Sequence, residues 1–111
     1  MPELTTPFQL VPDRKLSKVE LVVAIRQAVI AEHDAVAQYT LQAEATDDPL
    51  VKKVLLDIAD EERVHIGELT HLLEYLTEDE EALMKKGRDE ADGAARGVVD
   101  GREGENDNDE E

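Results

Sequence analysis

The four residues Thr46-Asp47-Asp48-Pro49 cut this chain into two long helix-forming stretches, and that division restricts it to few folds. Asp48 is a good helix N-cap, and Pro49 falls at the first helical position, where its missing N–H costs nothing. Upstream, Ser17 followed three residues later by Glu20 forms a capping box, and no Gly or Pro interrupts the sequence from there to Ala45. Downstream, a second helix extends from Pro49 to about Leu76. Thr77 with Glu80 then opens a short third helix to about Arg88. The expectation is an all-α chain, an antiparallel two-helix hairpin plus a short C-terminal helix. Residues 1–15 read as an irregular arm, 16–90 as the hairpin domain and 91–111 as an acidic disordered tail. Within the arm, Phe8, Leu10 and Val11 are available to pack on a partner.

Each long stretch carries an apolar line with one flaw. In the second, Leu55, Ile58, Glu62, His65, Leu69, Leu72 and Leu76 follow alternating steps of three and four, the spacing of a coiled-coil seam. In the first, Leu21, Ile25, Ala28, Glu32, Ala35 and Tyr39 do the same. Glu32 lies ~15.5 residues before the turn, and the midpoint of Glu62 and His65 lies ~16 residues after it. At ~1.5 Å rise per residue, all three sit ~23–24 Å from the turn, at one depth and facing one another. Carboxylates left uncompensated in an apolar seam are costly. Carboxylate oxygens with an imidazole nitrogen suit iron, manganese or zinc. A His–Glu hydrogen bond, or positions near the solvent edge, would also satisfy them.

The other polar candidates read as solvated helix surface: Arg26, His33, Glu44, Glu61, Glu68, His71 and Glu74. Tyr39, one seven-residue period from Glu32, is either core or a hydroxyl near the site. Asp34 is a candidate for an acidic cation-uptake path.

A dinuclear site in a four-helix bundle draws one Glu from each of two helices and Glu-x-x-His from each of two others. This chain owns half of that set, and two helices are half of that bundle. Both counts call for a homodimer with its two-fold axis near the metals.

Composition excludes other classes. With 28 acids against 12 bases, a net charge of −16 disfavours nucleic acid and anionic membrane surfaces as partners. Half of that excess, ten acids against two bases, lies in residues 89–111, together with four of the six glycines. No cysteine is present, so thiolate metal sites and disulfides are absent and a cytoplasmic, reducing setting fits. The longest apolar run, Leu21 to Ile25, is far short of the ~20 residues of a membrane span, and no secretory signal is visible at the start.

The segments Glu32-His33-Asp34-Ala35-Val36-Ala37-Gln38-Tyr39, Thr46 to Pro49, and Asp60-Glu61-Glu62-Arg63-Val64-His65 together resemble the encapsulated-ferritin family, two-helix relatives of ferritin and rubrerythrin. The resemblance covers residues of about 16 to 90. It implies a ferritin-like four-helix bundle formed by dimerisation, and iron as cofactor, two per subunit pair. Glu32, Glu62 and His65 would be its ligands and catalytic residues, with Glu62 bridging and Tyr39 close to the metal. The implied activity is a ferroxidase, oxidising Fe2+ with dioxygen for iron storage or detoxification. The implied assembly is a decamer, a ring of five dimers, working inside an encapsulin shell in the cytoplasm. A rubrerythrin-like di-iron peroxidase is the alternative enzyme, and a non-enzymatic helical dimerisation module the alternative outside enzymes. The chain departs from the family pattern at Gln38, where Trp is frequent, and at Ala31, where an acid is frequent. Its acidic C-terminal stretch also differs from the Gly-, Leu-, Ile- and Ser-rich docking peptide of family members.

Overall fold

The structure, a computed structural model, describes residues 13–100, and over these the chain is three helices without a strand: α1 Lys18–Glu44, α2 Pro49–Leu76 and α3 Glu80–Asp100. The arm residues Phe8, Leu10 and Val11, and the tail from residue 101 onward, lie outside the described residues.

The start of α1 is the expected capping box. The Glu20 amide donates to Ser17 Oγ at 3.1 Å, and the Ser17 amide donates to the Glu20 carboxylate at 2.9 Å. The Arg14 guanidinium adds a two-pronged contact to the same carboxylate, 2.8 Å on each side. At the turn, the Ala45 amide donates back to Leu41 and Gln42, closing α1. Asp48 Oδ1 then accepts from the amides of Leu50 and Val51 at 3.0 and 3.1 Å, with Pro49 in the first turn. Thr77 ends α2, its amide and hydroxyl both donating to the Leu73 carbonyl.

α1 and α2 pack along their length as the predicted hairpin, but the line they bury is not the whole predicted seam. On α2 the covered stripe is Leu55, Ala59, Glu62, Ile66, Leu69, Leu73 and Leu76, whereas His65 and Leu72 of the expected seam are exposed. On α1 it is Val22, Ile25, Val29, Glu32, Val36, Tyr39 and Ala43, whereas Leu21 is exposed. The apolar face of each helix is wider than one seam. One edge packs inside the hairpin, and the other lies beside it, with Ile58 half-buried and His65 and Leu72 exposed. Burial is shallow: Ala43, Ala59 and Leu73 are the only buried apolar residues among those described.

Beyond Thr77, the described residues 78–100 belong to a separate unit. There α3 starts at Glu80, two residues later than a Thr77 cap implies, and continues past the predicted end at Arg88 to Asp100. The glycines and acids of 89–100 suggested a chain without regular structure. Two ion pairs one helical turn apart, Lys85–Asp89 and Arg96–Asp92, together with Ala94 and Ala95, favour the helix instead.

The cap gives a signed pH dependence. The Arg14 hydrogen bonds, and then the Ser17 amide, hold the Glu20 carboxyl down to about 2. A depressed carboxyl contributes stability that is present above its unfolded value of ~4.3 and is lost as pH falls towards about 2. Ser17→Ala should cost about 1 kcal/mol. The parent's extra stability over a Glu20→Gln variant should fade between those two pH values in thermal melts followed by circular dichroism.

Candidate metal centre

Glu32 at the middle of α1 and Glu62 and His65 at the middle of α2 meet across the hairpin, each offering one ligand atom within 4.8 Å of the others. His65 Nδ1 donates to Glu62 Oε1 at 3.1 Å and lies 3.6 Å from Glu32 Oε2. The two carboxylates are mostly shielded, with side chains 25% and 20% exposed, while His65 is 50% exposed. The cluster therefore sits at the edge of the buried stripe, open on the face that carries Ile58 and Leu72, not closed in a core.

The electrostatics follow from proximity. A hydrogen bond with Glu62, then burial and the Glu62 charge, push the Glu32 carboxyl above its ordinary range. The same hydrogen bond, seen from its acceptor, holds the Glu62 carboxyl below it, aided by His65. Of two like charges this close, Glu32 is the one that takes up a proton first as pH falls. The Glu62 hydrogen bond, followed by the charges of Glu32, Glu62 and Glu68, raises the His65 imidazole above its usual value, against partial desolvation. A divalent cation fits this arrangement chemically. Two hard oxygens and an imidazole nitrogen converge, and a cation there would compete with protons for the same three groups.

Of the other candidates, Tyr39 is half-buried further along the same α1 stripe, and Asp34 is exposed and outside the cluster. His33 and Glu61 are exposed, and His71 is exposed beside Glu74, 3.6 Å away. Glu68 is exposed as expected, but its charge acts on His65, a role its reading as plain surface missed. The signal was present in the spacing Glu62-x-x-His65-x-x-Glu68, which puts the three one turn apart on α2.

Comparison with known proteins agrees in fold and family. The rubrerythrin family model matches residues 24–99. A ferritin-like–encapsulin shell fusion protein of Pyrococcus furiosus is 40% identical over 78 residues, which are 70% of this chain and 23% of that protein. An encapsulin nanocompartment cargo protein of Myxococcus xanthus is 35% identical over 86 residues, 78% of this chain and 65% of that protein. The chain thus spans about a quarter and about two-thirds of the lengths of these two relatives. The crystal structure of the encapsulated ferritin domain from Pyrococcus furiosus superposes with a TM-score of 0.70 at 37% identity, covering 78% of this chain and 89% of that one. No helix among the described residues is long and apolar enough to cross a membrane.

Because Glu32 and His65 are both raised, protons compete with a cation for this site. Titrating metal-free protein with Zn2+ should release protons, and more of them at lower pH, read by calorimetry in buffers of different ionisation enthalpy. Affinity should weaken as pH falls. A heat independent of the buffer would show that the cation binds elsewhere.

Proposed function

We propose that this chain, which belongs to the rubrerythrin family, is a ferroxidase that oxidises Fe2+ with dioxygen at a site built from two copies of Glu32, Glu62 and His65. The observation that carries the reading is the convergence of these three side chains at an open edge of the hairpin. A second copy meeting that edge about a two-fold axis supplies the other Glu and the other Glu-x-x-His. That completes the donor set of a dinuclear site inside a four-helix bundle. The shallow core supports the same pairing, since a hairpin with so little buried needs a second hairpin to cover it.

In this reading Fe2+ is the substrate, two ions per subunit pair, and what it supplies is one-electron exchange with dioxygen. The chain's residues do the rest. Glu32 and Glu62 offer hard anionic oxygens, which favour the ferric over the ferrous state. Glu62, one turn before His65 on α2, would bridge the two ions. His65 offers a neutral nitrogen once its proton has left. No nucleophile or general base from the protein is required.

The relatives named for encapsulin shells support a cargo role for this chain inside such a shell, with oxidised iron stored there. The same relationship supports a cytoplasmic location. In this reading the homodimers assemble further into a decameric ring.

Glu62→Ala should reduce Fe2+ oxidation, followed by oxygen uptake and ferric absorbance, to the rate of Fe2+ in buffer alone. Its metal-free melting temperature should be no lower than the parent's, because the substitution relieves a pair of crowded carboxylates. His71→Ala should change neither. Oxidation at the parent rate by Glu62→Ala would end the site assignment.

Since each chain holds half a site, adding iron to metal-free protein should raise the mass seen by light scattering. A mass unmoved by iron across a wide range of protein concentration would end that coupling.

A further inference from the structure

The hairpin is closed at one end by the turn before Asp48, but at the other end α1 begins and α2 stops with apolar surface between them. There Lys18, Val19, Val22 and Val23 of α1, with Leu76 and Thr77 at the end of α2, line a groove of about 300 Å3 whose walls are almost wholly apolar. Val19 and Val23 are 75% and 52% exposed. At 100° per residue the groove lies around α1 from Leu21, Ala28 and Ala35, on the side away from the edge that carries the metal cluster.

The character of the groove restricts its occupant. A small-molecule site fixes its ligand with convergent polar groups, and these walls offer almost none. A stable interface between proteins takes ~20–30 residues a side, and six line this groove. A short apolar peptide segment is what remains.

The chain has such a segment beside it. Residues 4–12 carry no charge, in a chain of which 36% is charged, and they hold Phe8, Leu10 and Val11 between Pro7 and Pro12. In an extended segment Phe8 and Leu10 share one face and Gln9 takes the other, so two apolar side chains would enter a groove while the amide stays outside. The two prolines restrict the backbone at either end, which lowers the entropy cost of holding the segment in place.

Reach and direction agree. Phe8 is ten residues before Lys18, a distance an extended chain covers with ~30 Å to spend, whereas Lys18 to Val23 spans only ~7.5 Å along α1. The Arg14 guanidinium grips the Glu20 carboxylate at 2.8 Å on each side, so residue 14 lies beside the first turn of α1 instead of leading away from it. Leu16 is half-buried on the same approach.

We propose that residues 8–11 of each chain dock in the groove at the open end of its own hairpin, with Phe8 and Leu10 against Val19, Val22, Val23 and Leu76. The segment ties the first turns of α1 to the last turn of α2, as the Asp48 turn ties their other ends. Its own groove is favoured over that of a second copy because the short connection through Arg14 keeps its effective concentration high. No ligand of the metal cluster lines the groove, so the test is made with chelator present and its failure is separable from failure of the ferroxidase reading.

The chain has no Trp and no Cys, so an introduced residue of either kind reports alone. In the full-length metal-free protein, Phe8→Trp should emit to the blue of the same protein in urea and be shielded from acrylamide. Adding Val19→Asp, at an exposed position, should remove both effects while helix content by circular dichroism stays unchanged. Under mild oxidation, Leu10→Cys with Val19→Cys should close a disulfide within one chain at least about tenfold faster than Leu10→Cys with Leu21→Cys, two residues on and ~160° around α1. Emission from Phe8→Trp equal to that in urea would show that the segment is not docked. Disulfides that form between chains even at high dilution would place it on a second copy, and equal rates for the two cysteine pairs would show a tether that does not seat in the groove. Any of these three outcomes overturns the proposal.

Discussion

Two carboxylates whose oxygens lie within 4.8 Å of each other, at the partly shielded middle of a helix pair, repel unless something positive lies between them. In the single chain that pressure raises the Glu32 carboxyl and the His65 imidazole, so both favour a proton more than they would in water. Much of the architecture serves to impose that meeting. The Asp48 cap and Pro49 fix where α2 begins, and the long uninterrupted helices carry Glu32 and Glu62 to the same depth. A turn one residue longer would move the two sides by ~1.5 Å along the axis, enough to degrade ligand convergence.

The same placement limits what one chain can do alone. Because the cluster lies at an edge, its open side faces solvent, and the apolar residues beside it share that exposure. Stability and site completion therefore pull in one direction. Covering Ile58 and Leu72 removes apolar surface from water, and the surface that covers them under the proposed two-fold pairing brings the second set of ligands. An enclosed cluster in a monomer would lack that link between assembly and chemistry.

The hairpin and the meeting of Glu32, Glu62 and His65 were legible in the sequence because both depend on counting. Capping residues mark ends, and helical rise converts residue number into depth. What counting could not fix was azimuth. Leu55, Glu62, Leu69 and Leu76 belong to two neighbouring heptad lines, one through Ile58, His65 and Leu72, the other through Ala59, Ile66 and Leu73. Only the packed structure shows that α1 covers the second. Composition misjudged α3, where glycine and acid content argued against order but properly spaced Lys–Asp and Asp–Arg pairs sustain a helix to Asp100. Glu68 was overlooked because an exposed acid on an acidic helix looks ordinary; its position one turn beyond His65 makes its charge matter.

The alanines of α1 connect these levels. Ala24, Ala28, Ala31 and Ala35 are all half-buried on the side of α1 that adjoins the open edge, with Ala28 and Ala35 one turn either side of Glu32. In a helix each is favourable, yet together they bury little apolar surface, so they contribute less to a hydrophobic contact than the valines and isoleucine on the opposite side of the same helix. What they permit is close approach, since methyl groups let a neighbouring helix come nearer than branched side chains do. A glutamate reaches only a few ångström from its backbone, and two facing glutamates can share metal ions only if their helices come within that reach. The small residues around Glu32 thus suit the close approach that coordination would need, which the large residues on the far side of α1 do not. That contrast explains why α1 shows so little overall amphipathicity while carrying two distinct faces beyond the one it turns to α2.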